Sequence, residues 1–494
     1  MSSSSSRTPL LEGSPSSGYG NVGKDLKLDV EDPSSVTGAN EADPECYYFG
    51  IIPASYIDGK VKPSNQQFDV TILLISSMIG SGILSQPYCF MKAGIVLVLC
   101  IYGVVGYGIY LCCHLLVTAS EKVIVERDLD PKTFEYADLS YQVLGETGKY
   151  ITDLFITLAN FFALVSYVIV IGVLSSQCIE TELNGDEEWE KIIMRPSLDA
   201  TAIIVTLVIP PCMIRNFGHL TFISQCSICL VMLAIIFVIG FGPLETTYYW
   251  QTHDFGDVKD LNFWDAENLS TVLGAIIFTL SFSTAIFPAY QSLSPRSLGG
   301  IREVCAHTIL VGACLCTIMG LAGYLAFMGA TEDNIIYNFT ADTFWSMITL
   351  FKLAIVLHLC FFIPMEFVVM RQCVYTLLQW KAEEVSTEML ISLTLVLFGA
   401  ALGTGVLLLE TTQKAFGLVL ALAGGICFST LVFILPGIIA VVVFYPRNDE
   451  DMKALSNNNK LDIAMGIFFS LFGIGILIFT VVDVIFLHPP DFVR

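Results

Sequence analysis

Hydrophobic residues occur in long runs over most of the chain, and short polar segments separate the runs. A membrane-spanning helix needs about 20 apolar residues to cross a hydrocarbon core of ~30 Å. Eleven runs meet this length, which predicts an all-α membrane protein with eleven transmembrane helices within residues 67–490. The predicted spans cover residues 68–92, 94–118, 150–175, 199–215, 220–242, 271–292, 305–328, 344–370, 388–409, 414–443 and 462–487.

Residues 1–66 follow a different pattern. They are rich in Ser, Gly, Pro and acidic residues and form no apolar face, which predicts a disordered cytosolic tail. The tail also lacks a signal-peptide pattern, so the first span is expected to direct membrane insertion. Its one apolar island, Leu10-Leu11, resembles the dileucine sorting signals of lysosomal membrane proteins, which bind a sorting adaptor. Ser6 replaces the usual acidic residue, and a chance Leu pair is the alternative.

Composition supports the membrane assignment. Hydrophobic residues make up 54% of the chain and charged residues 14%, whereas soluble proteins carry about 25% charged residues. These values exclude a soluble enzyme, a disordered protein and a coiled coil as descriptions of the whole chain. The net charge is -22, from 24 Lys and Arg against 46 Asp and Glu, and no basic block occurs. Membrane lipid is therefore an expected partner and nucleic acid is not.

The distribution of basic residues predicts the topology. With the amino terminus in the cytosol, most Lys and Arg residues near the spans fall on the cytosolic side, including Arg296 and Arg302, as the positive-inside rule requires. Two N-glycosylation sequons, at Asn268 and Asn338, then lie on the opposite side. The Asn338 loop contains no basic residue, so its assignment is the firmer one. Asn268 lies close to the membrane surface and is expected to be the poorer acceptor.

No enzyme or metal site is expected from the sequence. The six histidines show no HExxH pattern, and no cysteine pair combines with a second Cys or His pair at zinc spacing. No glycine-rich phosphate loop precedes a Lys-Ser or Lys-Thr, which disfavours an ATP-driven process. The sequence therefore predicts no metal, no cofactor and no enzymatic activity.

The first span is interrupted by residues that do not favour a continuous helix. Gly80-Ser-Gly82 lies near its centre and is followed by Ser85-Gln-Pro87. In lipid, the backbone unwinds only where it lines protein or a cavity. Transporters use such broken helices to direct free N–H groups at an anionic substrate group. Close helix packing through small residues is the alternative explanation.

A second interrupted span follows five spans later. It contains Ser281, Ser283 and Thr284 in mid-span, with Pro288 after them. Interrupted spans at matching places in two halves of five helices indicate an inverted repeat with a site near the membrane midplane. The predicted fold is therefore a five-plus-five inverted repeat with broken first and sixth helices plus one extra helix.

Several motifs resemble those of one known family. The stretch from Ser77 to Pro87, SMIGSGILSQP, resembles the first-span motif of the amino acid/auxin permease family. That family includes sodium-coupled neutral, proton-coupled and vacuolar amino acid transporters. Further similarities follow in the family's order over roughly residues 65–490, and they are Lys92-Ala-Gly94, Pro211-Cys-Met-Ile-Arg215, Phe287-Pro288-Ala-Tyr290, and Gly417–Gly424 with Leu435-Pro436.

This resemblance implies secondary active transport of small amino acids without a cofactor. The residues that would contact the substrate are, by position, Gly80, Ser81 and Gly82 for its carboxylate and Ser283 and Thr284 from the sixth span. Unwound N–H donors match a carboxylate, and hydroxyl groups match an ammonium group or an ion. Tyr167 in the third span is either a packing residue or a substrate gate.

The coupling ion is either sodium or a proton. Sodium-coupled members of the family have Asn at the position of Ser76, and they have Thr residues just before the eighth-span proline. This chain has Cys360 and Phe362 before Pro364 instead. A hard cation prefers oxygen ligands, so a sodium site would depend on Ser76 and Ser77.

Glu366 favours the proton. It follows Pro364 in a Pro-x-Glu that resembles the eighth span of proton-coupled members. A carboxylate inside a span is costly and is by default a functional candidate, and a structural ion pair with Arg371 is the alternative. His358 is either a core histidine or a proton carrier. Lys352, near the outer end of the span, is expected to extend its ammonium group to the membrane surface.

The sequence thus predicts a proton-coupled secondary transporter that exports small neutral amino acids from an acidic organelle to the cytosol. A lysosomal or vacuolar membrane is favoured over the plasma membrane. Two alternatives remain: an amino acid sensor of an endolysosomal membrane that signals through its amino-terminal tail, and a sodium-coupled neutral amino acid importer.

Overall fold

The structure is a computed structural model of the 494-residue chain. The chain divides into two units, Met1–Glu45 and Cys46–Arg494, and every described residue lies in the second. The sorting candidates Leu10 and Leu11 therefore lie outside the described residues. These are residues 47–48, 52–53, 67–78, 80–130, 134–180, 195–213, 229–230, 232–242, 261–339, 346–380, 385–412, 414–446 and 456–484.

Two short strands are described within the predicted tail. Strand β1 (Tyr47–Tyr48) pairs antiparallel with β2 (Ile52–Pro53), with Tyr47 opposite Pro53 and Tyr48 opposite Ile52. The disorder predicted for the rest of residues 1–66 stays a prediction.

Most of the rest of the described chain is helical. In chain order the α-helices are α1 (Gln67–Met78), α2 (Gln86–Ala93), α3 (Ile95–Arg127), α4 (Tyr136–Glu180), α5 (Pro196–Ile203), α6 (Ile209–Cys212), α7 (Met232–Gly242), α8 (Leu269–Leu280), α9 (Ile286–Ser292), α10 (Leu298–Phe327), α11 (Met347–Leu377), α12 (Thr387–Thr411), α13 (Ala415–Leu422), α14 (Leu435–Phe444) and α15 (Asn457–Val482). Shorter 3₁₀ segments are Ser81–Ser85, Met328–Ala330 and Ile335–Asn338, and π-helical segments are Ile204–Val208, Ala423–Phe428 and Thr430–Ile434.

Six helices within the described ranges are long and apolar enough to cross a membrane. They are Ile95–Arg127, Tyr136–Glu180, Leu298–Ala330, Thr387–Thr411, Ala415–Phe444 and Asn457–Val482. Shorter apolar helices are Pro196–Cys212, Met232–Gly242, Leu269–Leu280 and Met347–Cys360. The prediction of an all-α, multi-pass integral membrane protein is confirmed. The count of eleven spans and the inverted repeat stay predictions.

Apolar side chains lie both inside and outside the helix bundle. Phe90, Phe282 and Phe433 are buried, whereas Leu310 and Phe468 are more than 60% exposed. Lipid tails are as apolar as leucine, so the outer surface gains nothing by being buried, and packing holds the helices together.

The closest helix packing joins α8 to the π-helical segment after α13. A Cβ atom on Gly424 would lie 1.7 Å from the carbonyl oxygen of Gly274, and a Cβ atom on Gly274 would lie 2.3 Å from that of Ala421. Only residues without a side chain allow the two backbones to approach this closely. Helix α8, which leads into the second interruption, is therefore fixed against the tenth predicted span.

A distant segment holds the turn between α2 and α3. The Ile95 N–H donates to the Asn262 carbonyl at 3.1 Å, and the Asp265 N–H donates to the Ala93 carbonyl at 2.8 Å. Gly94 between them has a φ of +83°, and a Cβ atom there would lie 2.4 Å from the facing backbone. A glycine is therefore required at the turn. These bonds tie the end of α2 to the segment that leads into α8.

The loop between α10 and α11 folds back into the protein. Ile335, Ile336 and Phe339 have no exposed surface. Lys352 on α11 is only 3% exposed, and its Nζ donates to the Gln177 side-chain oxygen at 2.8 Å and to the Phe339 carbonyl at 2.5 Å. The prediction that Lys352 extends to the membrane surface is wrong, because the folded-back loop places a carbonyl acceptor inside the protein.

Asp333 fixes the same loop to α13. Its carboxylate is 2% exposed and accepts a hydrogen bond from the Gly417 N–H at 2.9 Å. Gly417 lies in the first turn of α13, where amide groups lack partners within the helix, so the carboxylate caps the helix. Burial raises the pKa of Asp333 to about 6; the Gly417 bond opposes this shift, Glu332 adds to it and Lys414 opposes it.

Candidate functional site

The first interrupted helix breaks where the sequence predicts. Helix α1 ends at Met78, and a single 3₁₀ turn, Ser81–Ser85, precedes α2. The Gly80 N–H donates to the Met78 carbonyl at 3.1 Å, which is not a helical hydrogen bond. The amides that begin the 3₁₀ turn have no partner within it. All five residues of the turn are buried, so the break lies inside the protein.

The two glycines of the break have different surroundings. A Cβ atom on Gly82 would lie 2.4 Å from the Thr279 hydroxyl oxygen and 2.9 Å from the ring of Phe278. The nearest atom to a Cβ on Gly80 would be the Tyr167 hydroxyl oxygen, at 3.8 Å. Gly82 is therefore required for contact with α8, whereas a methyl group on Gly80 would meet Tyr167 at an ordinary contact distance.

Ser81 contacts the third predicted span. Its hydroxyl oxygen lies 3.4 Å from that of Ser166, and both side chains are buried. Ser166 also donates to the Ala163 carbonyl at 2.7 Å, so its own hydroxyl proton is in use. The structure therefore places Ser81 and Gly80 next to Ser166 and Tyr167 of α4.

The second break separates α8 from α9 at residues 281–285. The Ser281 hydroxyl donates to the Ile277 carbonyl of the preceding turn. Ser283 is 1% exposed, and its hydroxyl has no hydrogen-bond partner among the described residues. Thr284 is partly exposed. Leaving a buried hydroxyl unpaired costs about 1–3 kcal/mol, so a ligand or water that bonds to Ser283 would recover this energy.

A buried hydrogen-bond network, which the sequence pattern did not predict, joins the two broken helices. Gln86 Nε2 donates to the Gly82 carbonyl at 2.8 Å and to the Thr279 hydroxyl at 2.9 Å. The Gln86 side-chain oxygen accepts from the Tyr102 hydroxyl at 2.5 Å, and Thr279 donates to the Ala275 carbonyl at 2.7 Å. The sequence signal for this network is Gln86 itself, an amide side chain inside an apolar span, where a buried polar group requires hydrogen-bond partners.

Glu366 lies on α11 near the same region of α4. It is partly buried, and its carboxylate is within electrostatic reach of the Tyr167 hydroxyl. Within the described ranges, no ion pair joins Glu366 to Arg371. Arg371 is 4% exposed and donates to the Cys212 carbonyl at 3.0 Å. Gly80, Ser81, Tyr167 and Glu366 therefore lie around one junction of the first, third and eighth predicted spans.

The other ion candidates are less well placed. His358 is partly buried and lies about two turns from Glu366 along α11. Ser77 is partly buried, and Cys360 is 2% exposed. The Ser76 side chain lies outside the described part of the structure. Among the described residues, no group of three His, Cys, Asp or Glu side chains is placed to hold a metal ion.

The two sequons differ in accessibility, in the reverse of the expected order. Asn338 is 6% exposed, its Nδ2 donates to the Ala330 carbonyl at 2.8 Å, and its side-chain oxygen accepts from the Glu332 N–H at 2.9 Å. Asn268 precedes α8, and its side chain is partly exposed. A glycan on Asn338 would displace two buried hydrogen bonds, whereas one on Asn268 would not. Glycosylation at either site stays a prediction.

Sequence comparison relates the chain to known transporters. A family profile described as transmembrane amino acid transporter protein matches residues 65–485. Vacuolar amino acid transporter 7 of Saccharomyces cerevisiae is 26% identical over 324 residues, which are 63% of this chain and 59% of that protein. The chain thus spans less than two thirds of that relative. Sodium-coupled neutral amino acid symporter 2 of Danio rerio is 25% identical over 423 residues, 81% of this chain and 79% of that protein.

Structural comparison supports the same relationship at the level of the fold. The crystal structure of MhsT in complex with L-phenylalanine matches 85% of this chain and 100% of its own chain, with a TM-score of 0.52 and 14% sequence identity. At this identity the similarity shows a shared fold alone. The family profile, by contrast, covers most of the sequence and confirms the resemblance to the amino acid/auxin permeases. This chain belongs to the transmembrane amino acid transporter protein family, whose members are transporters and not enzymes.

Proposed function

We propose that this protein is a secondary active transporter of small neutral amino acids, with eleven spans in a five-plus-five inverted repeat and one extra helix. The observation that carries the proposal is the pair of buried helix breaks, one after Met78 and one after Leu280, with the unpartnered Ser283 hydroxyl in the second. Free backbone amides at the first break suit a carboxylate, and the hydroxyl suits an ammonium group. Together they match the two groups that every α-amino acid carries.

The surroundings of the breaks favour a small and uncharged side chain. Tyr167 comes within 3.8 Å of a Cβ position on Gly80, and the buried ring of Phe282 adjoins Ser283 in the sequence. These groups leave little room and offer no charge to a basic or acidic side chain. Glu366, whose carboxylate interacts electrostatically with Tyr167, is assigned to the binding of the coupling ion in this proposal.

We assign proton coupling to Glu366. A carboxylate inside a membrane span is costly when charged and is often part of a proton pathway. No ion pair joins Glu366 to Arg371 among the described residues, and the Arg371 guanidinium group donates to the Cys212 carbonyl. Sodium coupling is the second candidate, and the similarity to the Danio rerio sodium-coupled symporter favours it. Oxygen ligands from Ser76 and Ser77 would then be required.

The proposed location is a lysosomal or vacuolar membrane, with export of amino acids to the cytosol. The similarity to yeast vacuolar amino acid transporter 7 supports it. A sorting adaptor would bind Leu10 and Leu11, and their replacement by Ala is expected to move the protein to the cell surface. A sensor that signals through the tail is the alternative role, and it would bind amino acids without turnover.

The test of the proposal is uptake of labelled amino acids by the purified full-length protein in proteoliposomes. Uptake is measured with and without a pH gradient and with and without sodium. Ser283→Ala is expected to raise the KM for neutral amino acids roughly tenfold or more, because a hydrogen bond to a charged group contributes about 1.5–3 kcal/mol. Ser281→Ala is the matched control, since its hydroxyl already bonds within the helix. Binding without flux would favour the sensor, and an unchanged KM in Ser283→Ala would remove the midplane site.

A further inference from the structure

Two buried oxygen atoms on α4 have no hydrogen-bond partner among the described residues, and neither belongs to the site described above. They are Oδ2 of Asp153 and the hydroxyl oxygen of Thr157. Asp153 is 3% exposed. The two residues are four positions apart and therefore share one face of the helix, with Cβ atoms about 5–6 Å apart.

The state of Thr157 is unusual for a threonine in a span. Thr308 and Thr394 each donate a hydrogen bond to the carbonyl four residues earlier, at 2.8 Å. Thr157 does not make this bond, so its hydroxyl can both donate and accept elsewhere. A buried carboxylate oxygen and a buried hydroxyl, both unpaired and side by side, indicate a site for a proton or a water molecule rather than a packing contact.

Helix α11 packs against this face of α4 in the antiparallel direction. At one end the Cys178 sulfur lies 3.9 Å from the Thr349 carbonyl, and at the other the Cys373 thiol faces Asp153. Cys373 is 8% exposed. It lies seven residues, or two helical turns, after Glu366, so both side chains share one face of α11.

The spacing places Thr157 between the two carboxylates. Cys373, which faces Asp153, lies seven residues after Glu366 on α11. Asp153 and Glu366 are therefore about 10 Å apart along the helix axis. Thr157 lies about 6 Å from Asp153 along the same axis, in the direction of Glu366. The separation between Thr157 and Glu366 along the helix axis is then about 5 Å, which one or two water molecules can bridge.

The charges around Asp153 permit it to gain and lose a proton. Lys149, one turn away on α4, attracts the carboxylate, and Asp138, which precedes the non-helical Gly145 of α4, repels it. On α11, Cys373 is the titratable group that faces it, and Glu135, just before α4, acts on that thiol. One cation and two further carboxylates thus surround the end of α4 that is predicted to face the cytosol.

We propose that Asp153 and Thr157 form the proton-release site between Glu366 and the cytosol. The protonated Glu366 gives its proton through water to the Thr157 hydroxyl, which passes its own proton to the Asp153 carboxylate. Asp153 then releases that proton to cytosolic water, so one proton moves and no other bond changes. This inference rests on the proposed function, because it requires Glu366 to carry the proton.

The test compares two transport modes of the full-length protein in proteoliposomes. Net uptake driven by a pH gradient requires proton release, whereas exchange of labelled for unlabelled amino acid at equal pH does not. Asp153→Asn is expected to lower net uptake at least tenfold and to keep exchange within twofold of wild type. Asp153→Glu and Thr157→Ser are expected to retain net uptake, and Thr157→Val to lower it severalfold.

Asp483→Asn is the control for the loss of a buried charge. The Asp483 carboxylate is 5% exposed and accepts a hydrogen bond from Ser270, so it already has a partner. The Asp483→Asn variant is expected to retain net uptake. Net uptake by Asp153→Asn at the wild-type level would overturn the inference, and so would loss of exchange, which would make Asp153 a structural residue. Wild-type uptake that ignores the pH gradient would instead overturn proton coupling itself, and the release site with it.

Discussion

Gln86 and Thr279 are joined by a 2.9 Å hydrogen bond although 193 residues separate them in the chain. Gln86 begins α2, directly after the first break, and Thr279 lies in the last turn of α8, directly before the second. The bond therefore connects the half-helices that lie on the same side of the two breaks. Because Asn262 and Asp265 tie the same pair at the turn between α2 and α3, we expect α2 and α8 to move as one body.

Replacing Gln86 by Leu is expected to destabilise the protein and to lower uptake. The substitution leaves the buried Tyr102 hydroxyl without its acceptor, and an unpaired buried polar group costs about 1–3 kcal/mol. The apparent Tm in detergent measures the loss. Tyr102→Phe removes one donor without leaving an unpaired group on itself and is expected to have a smaller effect. Equal stability of Gln86→Leu and wild type would show that the network contributes nothing.

Gly82 and Gly80 are expected to respond differently to the same small change. In Gly82→Ala the new Cβ atom would lie 2.4 Å from the Thr279 hydroxyl oxygen, so α8 must shift, and uptake is expected to fall below a tenth of wild type. Gly80→Ala places its Cβ atom at an ordinary contact distance of 3.8 Å from Tyr167 and is expected to keep at least half. Surface expression of both variants is measured alongside. Equal uptake by the two variants would contradict the packing described for Gly82.

Glu366→Gln tests the coupling ion. The amide cannot carry a proton, so uptake is expected to lose its dependence on the pH gradient while amino acid exchange survives. Initial rates at several lumenal pH values, with and without sodium, provide the measurement. If wild-type uptake requires sodium and is indifferent to pH, proton coupling is wrong and Ser76 becomes the residue to test.

Asp333 predicts that the stability of the folded protein depends on pH. Its pKa in the folded protein is about 6, above the ordinary value of 3.8. The folded state therefore binds the proton more tightly, and the stabilisation is complete below about pH 4 and is lost as the pH rises through 6. The difference corresponds to at most roughly 3 kcal/mol. The apparent Tm of wild type is expected to fall between pH 4 and 7, and that of Asp333→Asn to fall less.

Glu332→Gln is the control for Asp333→Asn. It removes the same charge from the adjacent residue, which is half-exposed and pairs with Lys414 at 3.9 Å. It is expected to leave most of the pH dependence in place. An identical pH profile in wild type and Asp333→Asn would show that Asp333 does not titrate in this range.

The sequons provide a further prediction. Asn268→Gln is expected to remove any glycan-dependent shift in electrophoretic mobility, because the Asn268 side chain is the more accessible of the two. Asn338→Gln is expected to lower the yield of folded protein, since both ends of the Asn338 side chain hold the buried loop. A mobility shift that disappears only in Asn338→Gln would contradict this assignment.

The sequence predicted the features that depend on local chemistry. Gly80, Gly82 and Pro288 lower the local helix propensity, so both interruptions could be predicted without tertiary information, although Pro364 lies within the continuous helix α11. Glu366 could be identified because a charge is rare inside an apolar span.

Features that depend on distant contacts could not be predicted. The partner of Gln86 is 193 residues away, and apolar periodicity carries no information about which polar groups meet. Lys352 was assigned to the membrane surface because the sequence does not show that residues 331–339 fold back to supply an acceptor. Asp153 and Thr157 could not be identified for the same reason, since their significance depends on two side-chain oxygen atoms that the folded chain leaves without hydrogen-bond partners among the described residues.

The buried ammonium group of Lys352 has a mechanical consequence. Together with Gln177 it locks α4 to α11 at one end, and the contact between Asp153 and Cys373 holds them at the other. Two long helices fixed at both ends resist relative rotation, whereas an interrupted helix pivots about a few backbone torsions. We therefore expect α4 and α11 to serve as a stationary frame, with α1–α2 and α8–α9 as the levers that open the binding site first to one side of the membrane and then to the other.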